Sequence, residues 1–111
     1  MIVRMIEEIT SDLWEKLKNE PDLTQGIVQS EVRNVVRELR MKRNYIATSM
    51  SDEDIDNDIQ NYYSTIRNIA ESRCVKLGAE GEVAHTENGV SRSYVSEDEL
   101  WKGVHAFVKV L

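Results

Sequence analysis

From Ser51 onward, apolar residues recur at steps of three and four over a longer stretch than anywhere else in the chain. The series is Ile55, Ile59, Tyr62, Ile66, Ile69, then Arg73, then Leu77. Such a period places the side chains in one stripe along an α-helix. Tyr63, Ala70 and Cys74 widen the stripe, so it must be covered along its whole length by a core or a partner. The spacing predicts one long helix over 52–77. Ser51 is placed to cap it, with Asp54 in the capping-box position, and Asp52, Glu53, Asp54 and Asp56 favour the positive end of the helix dipole. Gly78 stands where a left-handed residue would stop it. Arg73 is the single polar residue in the series.

The expected fold is mainly α: a small helical bundle organised on that long helix. A first stripe, Ile2, Ile6, Ile9, Leu13 and Leu17, has Met5 and Trp14 beside it. Thr10-Ser11-Asp12 leaves open whether this is one helix or a shorter one beginning at Asp12. Pro21 breaks the chain, because it removes a donor and pushes Glu20 out of the helical region. Thr24 can cap a second helix with Val28, Val32, Val35, Val36 and Leu39 inward and Arg33, Arg37 and Arg40 on roughly the opposite face. The short connection over 45–50 makes the second and the long helix antiparallel neighbours.

Beyond Gly81 the pattern changes. Asn88-Gly89 between strand-compatible runs signals a tight hairpin over about 82–95, or an extended loop. Its flanks are too polar for a half-buried sheet, and a lone hairpin is marginal in water, so it needs the helices or another subunit to lean on. Ser96-Glu97-Asp98-Glu99 opens a short helix with Leu100, Trp101 and Val104 on one face, weakened by Gly103. Phe107 to Leu111 reads as an extended apolar tail.

The totals bound the function. The chain has 111 residues, enough for a single domain with a modest core. Its formal net charge of -6 weighs against a free-standing nucleic-acid binder. No apolar run is long enough to span a bilayer, and the first residues lack the layout of an export signal, so the cytoplasm is the expected site of synthesis. A single cysteine, Cys74, excludes an internal disulfide framework and a multi-cysteine zinc site, and its place beside the stripe reads as a small buried side chain. His85 and His105 have no ligand-like companion at helical spacing. Asp52, Asp54, Asp56 and Asp58 alternate as in a calcium loop, but Asn57 replaces the required glycine and Tyr63 the closing glutamate. The alternation is better read as capping and dipole chemistry. No phosphate loop, dinucleotide fingerprint or nucleophile elbow is present, so no enzyme, cofactor or metal is expected. The arginine row, followed by Lys42 and Arg43, is either a solvated face or a patch for phosphate or an acidic partner.

One stretch carries a resemblance. Tyr62-Tyr63, then Arg73-Cys74-Val75-Lys76-Leu77-Gly78-Ala79-Glu80-Gly81, then Glu87-Asn88-Gly89-Val90-Ser91-Arg92-Ser93-Tyr94 resemble the signature of the small head–tail connector proteins of tailed bacteriophages, the adaptor or head-completion proteins. In that family a long helix ends in an Arg-x-x-x-Leu-Gly-Ala-Glu-Gly-like turn, and a Gly-Val-Ser-x-Ser-Tyr-like strand follows. The closing Leu100-Trp101-Lys102-Gly103-Val104 and Val108-Lys109-Val110 look like that family's short C-terminal end. The segment from Ile2 to Lys18 lies outside the resemblance.

The resemblance implies a structural virion protein of the phage neck, made in the host cytoplasm. It would assemble with itself into a ring beneath the portal protein, meet a downstream neck or tail-completion protein, and surround a channel through which genomic DNA passes. It implies that residues 79–95 and 106–111 of the single domain are interaction segments. The contact residues would be Glu80, Gly81, Val83, His85, Asn88, Gly89, Val90, Arg92 and Tyr94, with Phe107, Val108, Val110 and Leu111. Arg33, Arg37 and Arg40 would face the channel or a subunit boundary. The rival expectation is a small helical regulator that binds a partner protein or nucleic acid through the arginine row.

Overall fold

The computed structural model describes residues 2–80 and 96–108, and the side chains of all of these except 78–80. The described residues are mainly helical, without a strand: α1 (Ile2–Leu17), α2 (Gln25–Arg43), a 3-10 turn (Tyr45–Ala47), α3 (Asp52–Gln60), α4 (Tyr63–Glu80) and the short α5 (Glu97–Leu100). The hairpin expected over 82–95 lies outside the described residues.

α1 is a single helix, which settles the alternative left open by Thr10-Ser11-Asp12. Met5, Ile9, Leu13 and Leu17 recur every four residues and are all buried. Thr10 is buried with them, and its hydroxyl has no hydrogen-bond partner among the described atoms. A buried unpaired hydroxyl costs on the order of 1–3 kcal/mol, so apolar packing on both sides of Thr10 overrides its capping preference.

α2 is the element on which the others pack; it touches α4, α1 and α3. Thr24 caps it, with Oγ1 accepting from the Ile27 N–H at 3.1 Å. All five residues of the expected stripe, Val28, Val32, Val35, Val36 and Leu39, are buried. Four valines make weak helix formers, so α2 is held by packing more than by propensity. Its end is fixed by Asn44 in the left-handed region, at φ 55°, a conformation asparagine tolerates better than most residues.

The helix expected over 52–77 is two helices. Ser51 caps α3 as expected, accepting from the Asp54 N–H at 3.2 Å. At Asn61–Tyr62 the bonding tightens: the Tyr62 N–H donates to the Ile59 carbonyl at 2.9 Å, and the regular pattern resumes with Ile66 to Tyr62. The break needs neither proline nor glycine. α3 is tied to the end of α2 through Asp58 and also touches α1, while α4 packs chiefly on α2. The stripe survives the break, since Ile59, Ile66, Ile69, Ala70 and Cys74 are all fully enclosed. Two expectations fail at the far end. The helix runs through Gly78 to Glu80, because a helical glycine costs only about 1 kcal/mol relative to alanine. Leu77, three residues beyond the buried Cys74, is exposed.

The C-terminal helix is shorter than the sequence suggests. Ser96 caps it, but it ends at Leu100, and Trp101 is buried in the turn that follows. Four residues form no stable helix alone, so α5 stands on its contacts with α4. The chain then runs without helix along the end of α2.

Candidate interaction surfaces

Two arginines fasten the C-terminal part of the chain to the bundle. Arg73, the polar residue in the stripe, donates through Nε to Glu97 Oε1 at 2.7 Å and through Nη2 to Glu97 Oε2 at 3.0 Å. The same Nη2 donates to Glu38 of α2. One guanidinium thus joins α4, α2 and α5. The hydrogen bonds that Arg73 donates to Glu97 raise the Arg73 pKa above its ordinary value, outweighing burial, and Arg73 in turn lowers the Glu97 carboxyl. Next to this clamp the Lys42 ammonium sits over the Trp101 ring, 5.0 Å from its centre.

Arg43 fastens the tail. Its Nε and Nη2 donate to the two oxygens of Asp58 at 2.8 and 2.9 Å, and Nη1 donates to the His105 carbonyl at 2.7 Å. The Tyr45 hydroxyl donates to Asp58 at 2.6 Å. The Phe107 ring lies 4.0 Å from the guanidinium carbon, its N–H donates to the Arg43 carbonyl, and its own carbonyl accepts from Asn44. Burial and the Asp58 carboxylate push the Tyr45 phenol well above its usual range. Burial also pushes the Asp58 carboxyl up, but the hydrogen bonds from Arg43 and Tyr45 with the Arg43 charge prevail, and its pKa is lowered.

These shifts fix the sign of an acid effect. Asp58 and Glu97 both have folded pKa values below their ordinary 3.8 and 4.5. The stability they supply is full above those values and is lost as pH falls through the lower, folded ones. The urea midpoint is expected to drop between pH 5 and about pH 3, and Asp58→Asn should flatten that drop. An equally steep acid loss in the variant would show that Asp58 is not its source.

The outward face of α2 is different in character. Arg33, Arg37 and Arg40 are exposed, and among the described residues none forms an ion pair. Its two acidic residues, Glu31 and Glu38, lie on another flank, where Glu38 serves Arg73. The face runs into exposed apolar residues: Met41, Ile46 at 98% exposure and Val108 at 81%. All three adjoin the end of α2, Val108 through its neighbour Phe107 on Arg43 and Asn44. On α1, Val3 is exposed as well.

Of the contact residues suggested by the resemblance, Phe107 is half-buried within its own chain and Val108 is exposed. Glu80 closes α4, without a described side chain, and Gly81, Val83, His85, Asn88, Gly89, Val90, Arg92, Tyr94, Val110 and Leu111 lie outside the described residues. The sequence singled out Arg73 but not its carboxylates, and it missed the Arg43–Asp58–Tyr45–Phe107 cluster. Nothing in spacing links positions 43, 58 and 107.

A half-open recess of about 160 Å³ is lined by Arg4, Met5, Glu8, Gln60 and Tyr63, below the several hundred Å³ typical of ligand pockets. No group of three or more His, Cys, Asp and Glu among the described residues is placed to hold a metal ion, and no described helix is long and apolar enough to cross a membrane. Cys74 is fully enclosed, and burial pushes its thiol up to about 12, so it carries no thiolate at neutral pH. No family model, curated protein or solved structure matches the chain.

Proposed function

We propose that this chain is a structural subunit of a bacteriophage neck, a head-completion or adaptor protein that acts by protein contacts rather than catalysis. The observation that carries the reading is the connector-like signature, which begins at the α3–α4 break and runs along α4. The segment after α4 returns to the bundle at α5, which Arg73 holds in place. In this reading the helices are a platform, and residues 79–95 and 106–111 contact neighbouring subunits, the portal and the next neck protein. The subunits form a ring around the path of the DNA, in the virion.

Deleting residues 82–95 tests this. The expected product keeps its helical circular dichroism and cooperative unfolding but no longer assembles, alone or with portal protein, by native mass measurement. A full-length protein that stays monomeric with portal present would sink the reading. Loss of folding on deletion would make the segment part of the core instead.

The exposed arginine row supports a second reading, a small regulator that binds an acidic partner or nucleic acid. There, duplex DNA would bind with steep salt dependence, and reversing Arg33, Arg37 and Arg40 to Glu would abolish it. Binding that ignores salt and survives the reversal would remove that reading.

A further inference from the structure

Between Arg43 and Arg67 the chain holds five acidic residues and no lysine, arginine or histidine. Asp58 is taken by Arg43. The other four, Asp52, Glu53, Asp54 and Asp56, crowd the first five residues of α3, and none forms an ion pair among the described residues. The first three are exposed and Asp56 is half-buried. The α3 dipole places only about half a positive charge at that end, so the patch stays strongly negative. Elsewhere exposed carboxylates have a cation near them: Glu8 shares its recess with Arg4, Asp12 lies by Arg67 and Glu15 by Lys18.

The α2 row is the opposite case. Arg33, Arg37 and Arg40 fall within an arc of about 60° and span about 10 Å of the helix. All three are exposed, and no acidic residue shares their arc. No described ion pair joins the row to the start of α3 within the chain. The row lies on the side of α2 away from its buried valines, whereas α3 packs Ile59 into the core those valines form. Each copy therefore carries a basic and an acidic patch that leave each other unpaired.

We propose that the outward face of α2 docks the acidic start of α3 from a second copy of this chain. Three guanidiniums then meet four carboxylates, which occupy about 6 Å of helix. Bulk charge opposes the contact, since both copies carry -6. At about 0.1 M salt, however, charges more than about 10 Å apart are largely screened, and the facing patches decide. Because the two patches are different surfaces, the contact is heterologous and repeats from copy to copy, closing a ring when the rotation permits. The inference rests on the self-assembly in the reading above and names the surfaces that carry it.

Charge reversal in the full chain tests it, with association followed by sedimentation and native mass at about 0.1 M salt. One variant combines Arg33→Glu, Arg37→Glu and Arg40→Glu; the other combines Asp52→Lys, Glu53→Lys and Asp54→Lys. Each alone is expected to weaken self-association by at least about tenfold, through like charges at the contact. The second variant adds two charges at each of three sites and so cancels the net charge of -6. If bulk charge governed association, that variant would associate more strongly, which would overturn the proposal. An equimolar mixture of the two variants is expected to recover, since each acidic row then meets a basic α3 start and each basic row an acidic one. Lysines at a helix start oppose its dipole, so circular dichroism checks the fold, and Asp52→Asn, Glu53→Gln and Asp54→Asn together give a milder loss if the reversal disturbs α3. A wild type that stays monomeric, reversals without effect, or a mixture that fails to recover would each overturn the proposal. Row reversal that abolishes duplex DNA binding but leaves self-association intact would give the face to nucleic acid instead. Portal binding without rescue in the mixture would overturn the interface and leave the neck reading standing. Rescue without portal binding would do the opposite.

Discussion

Replacing Leu39 with alanine is expected to lower the stability of the fold by about 3–4 kcal/mol. Leu39 is fully enclosed near the end of α2, the helix that α1, α3 and α4 all touch. Removing three carbons there loses their transfer free energy and leaves a cavity that surrounding helices cannot collapse without separating. Domains of this size hold only about 5–15 kcal/mol in total. The loss is thus a large fraction of the whole and should lower the melting temperature by on the order of 15 °C. Urea unfolding at neutral pH checks it: the midpoint falls and the slope stays the same. Leu39→Met, which nearly conserves volume, should cost less than about 1.5 kcal/mol. A loss below about 1 kcal/mol for the alanine variant would show that the end of α2 is not part of the cooperative core.

Why α2 was legible in the sequence follows from the same physics. Its apolar residues are spaced for one face, its cap is a threonine followed by helix-compatible residues, and its core partners lie on both sides. The α3–α4 break was not legible, because the apolar series runs through Asn61 and Tyr62 without a breaker. What ties α3 to the bundle beside it is a contact between residues fifteen positions apart, the Arg43–Asp58 pair. Local pattern reports faces of helices; it does not report which carboxylate a given arginine will find. For the same reason the row of aspartates read correctly as helix-start chemistry at Asp52 and Asp54, yet concealed that Asp58 is a tertiary anchor. Thr10 shows the converse case, an alternative the local pattern left open: a residue with good capping chemistry sits inside α1 because its neighbours Ile9 and Leu13 are needed in the core.

The candidate surfaces were legible in part. The arginine row was visible as spacing, and its exposure follows from the opposite face being all aliphatic. That Met41, Ile46 and Val108 adjoin the same end was not visible, since it depends on the tail folding back over Arg43 and Asn44. The tail was expected to be extended and apolar, with 106–111 as a contact segment. Within its own chain Phe107 packs on Arg43, because a guanidinium already held by Asp58 offers its flat face to an aromatic ring.

Arg73→Met is expected to release α5 while the helices of the bundle remain folded. In the native chain the Arg73 side chain is one-fifth exposed and its guanidinium is shared by Glu97 and Glu38, whose side chains are 29% and 42% exposed. Methionine keeps much of the stem and its packing but leaves two carboxylates side by side without a cation. Breaking a fully buried pair in this way costs about 3–5 kcal/mol. Here Glu38 can turn to water, so the expected loss is nearer 2 kcal/mol. That is enough to detach a four-residue helix, which has no stability of its own. Trp101 then loses both its cover and the Glu97 carboxylate that accepts its indole N–H at 3.4 Å. In a Trp14→Phe background, Trp101 emission should shift to the red at urea concentrations where the helical circular dichroism is still native. Arg73→Lys should fall between, since an ammonium pairs with one carboxylate but cannot present the two-pronged contact to Glu97. Fluorescence and circular dichroism that move together in Arg73→Met, as in the parent, would mean that α5 is held by Leu100 and Trp101 packing and that the arginine clamp is incidental.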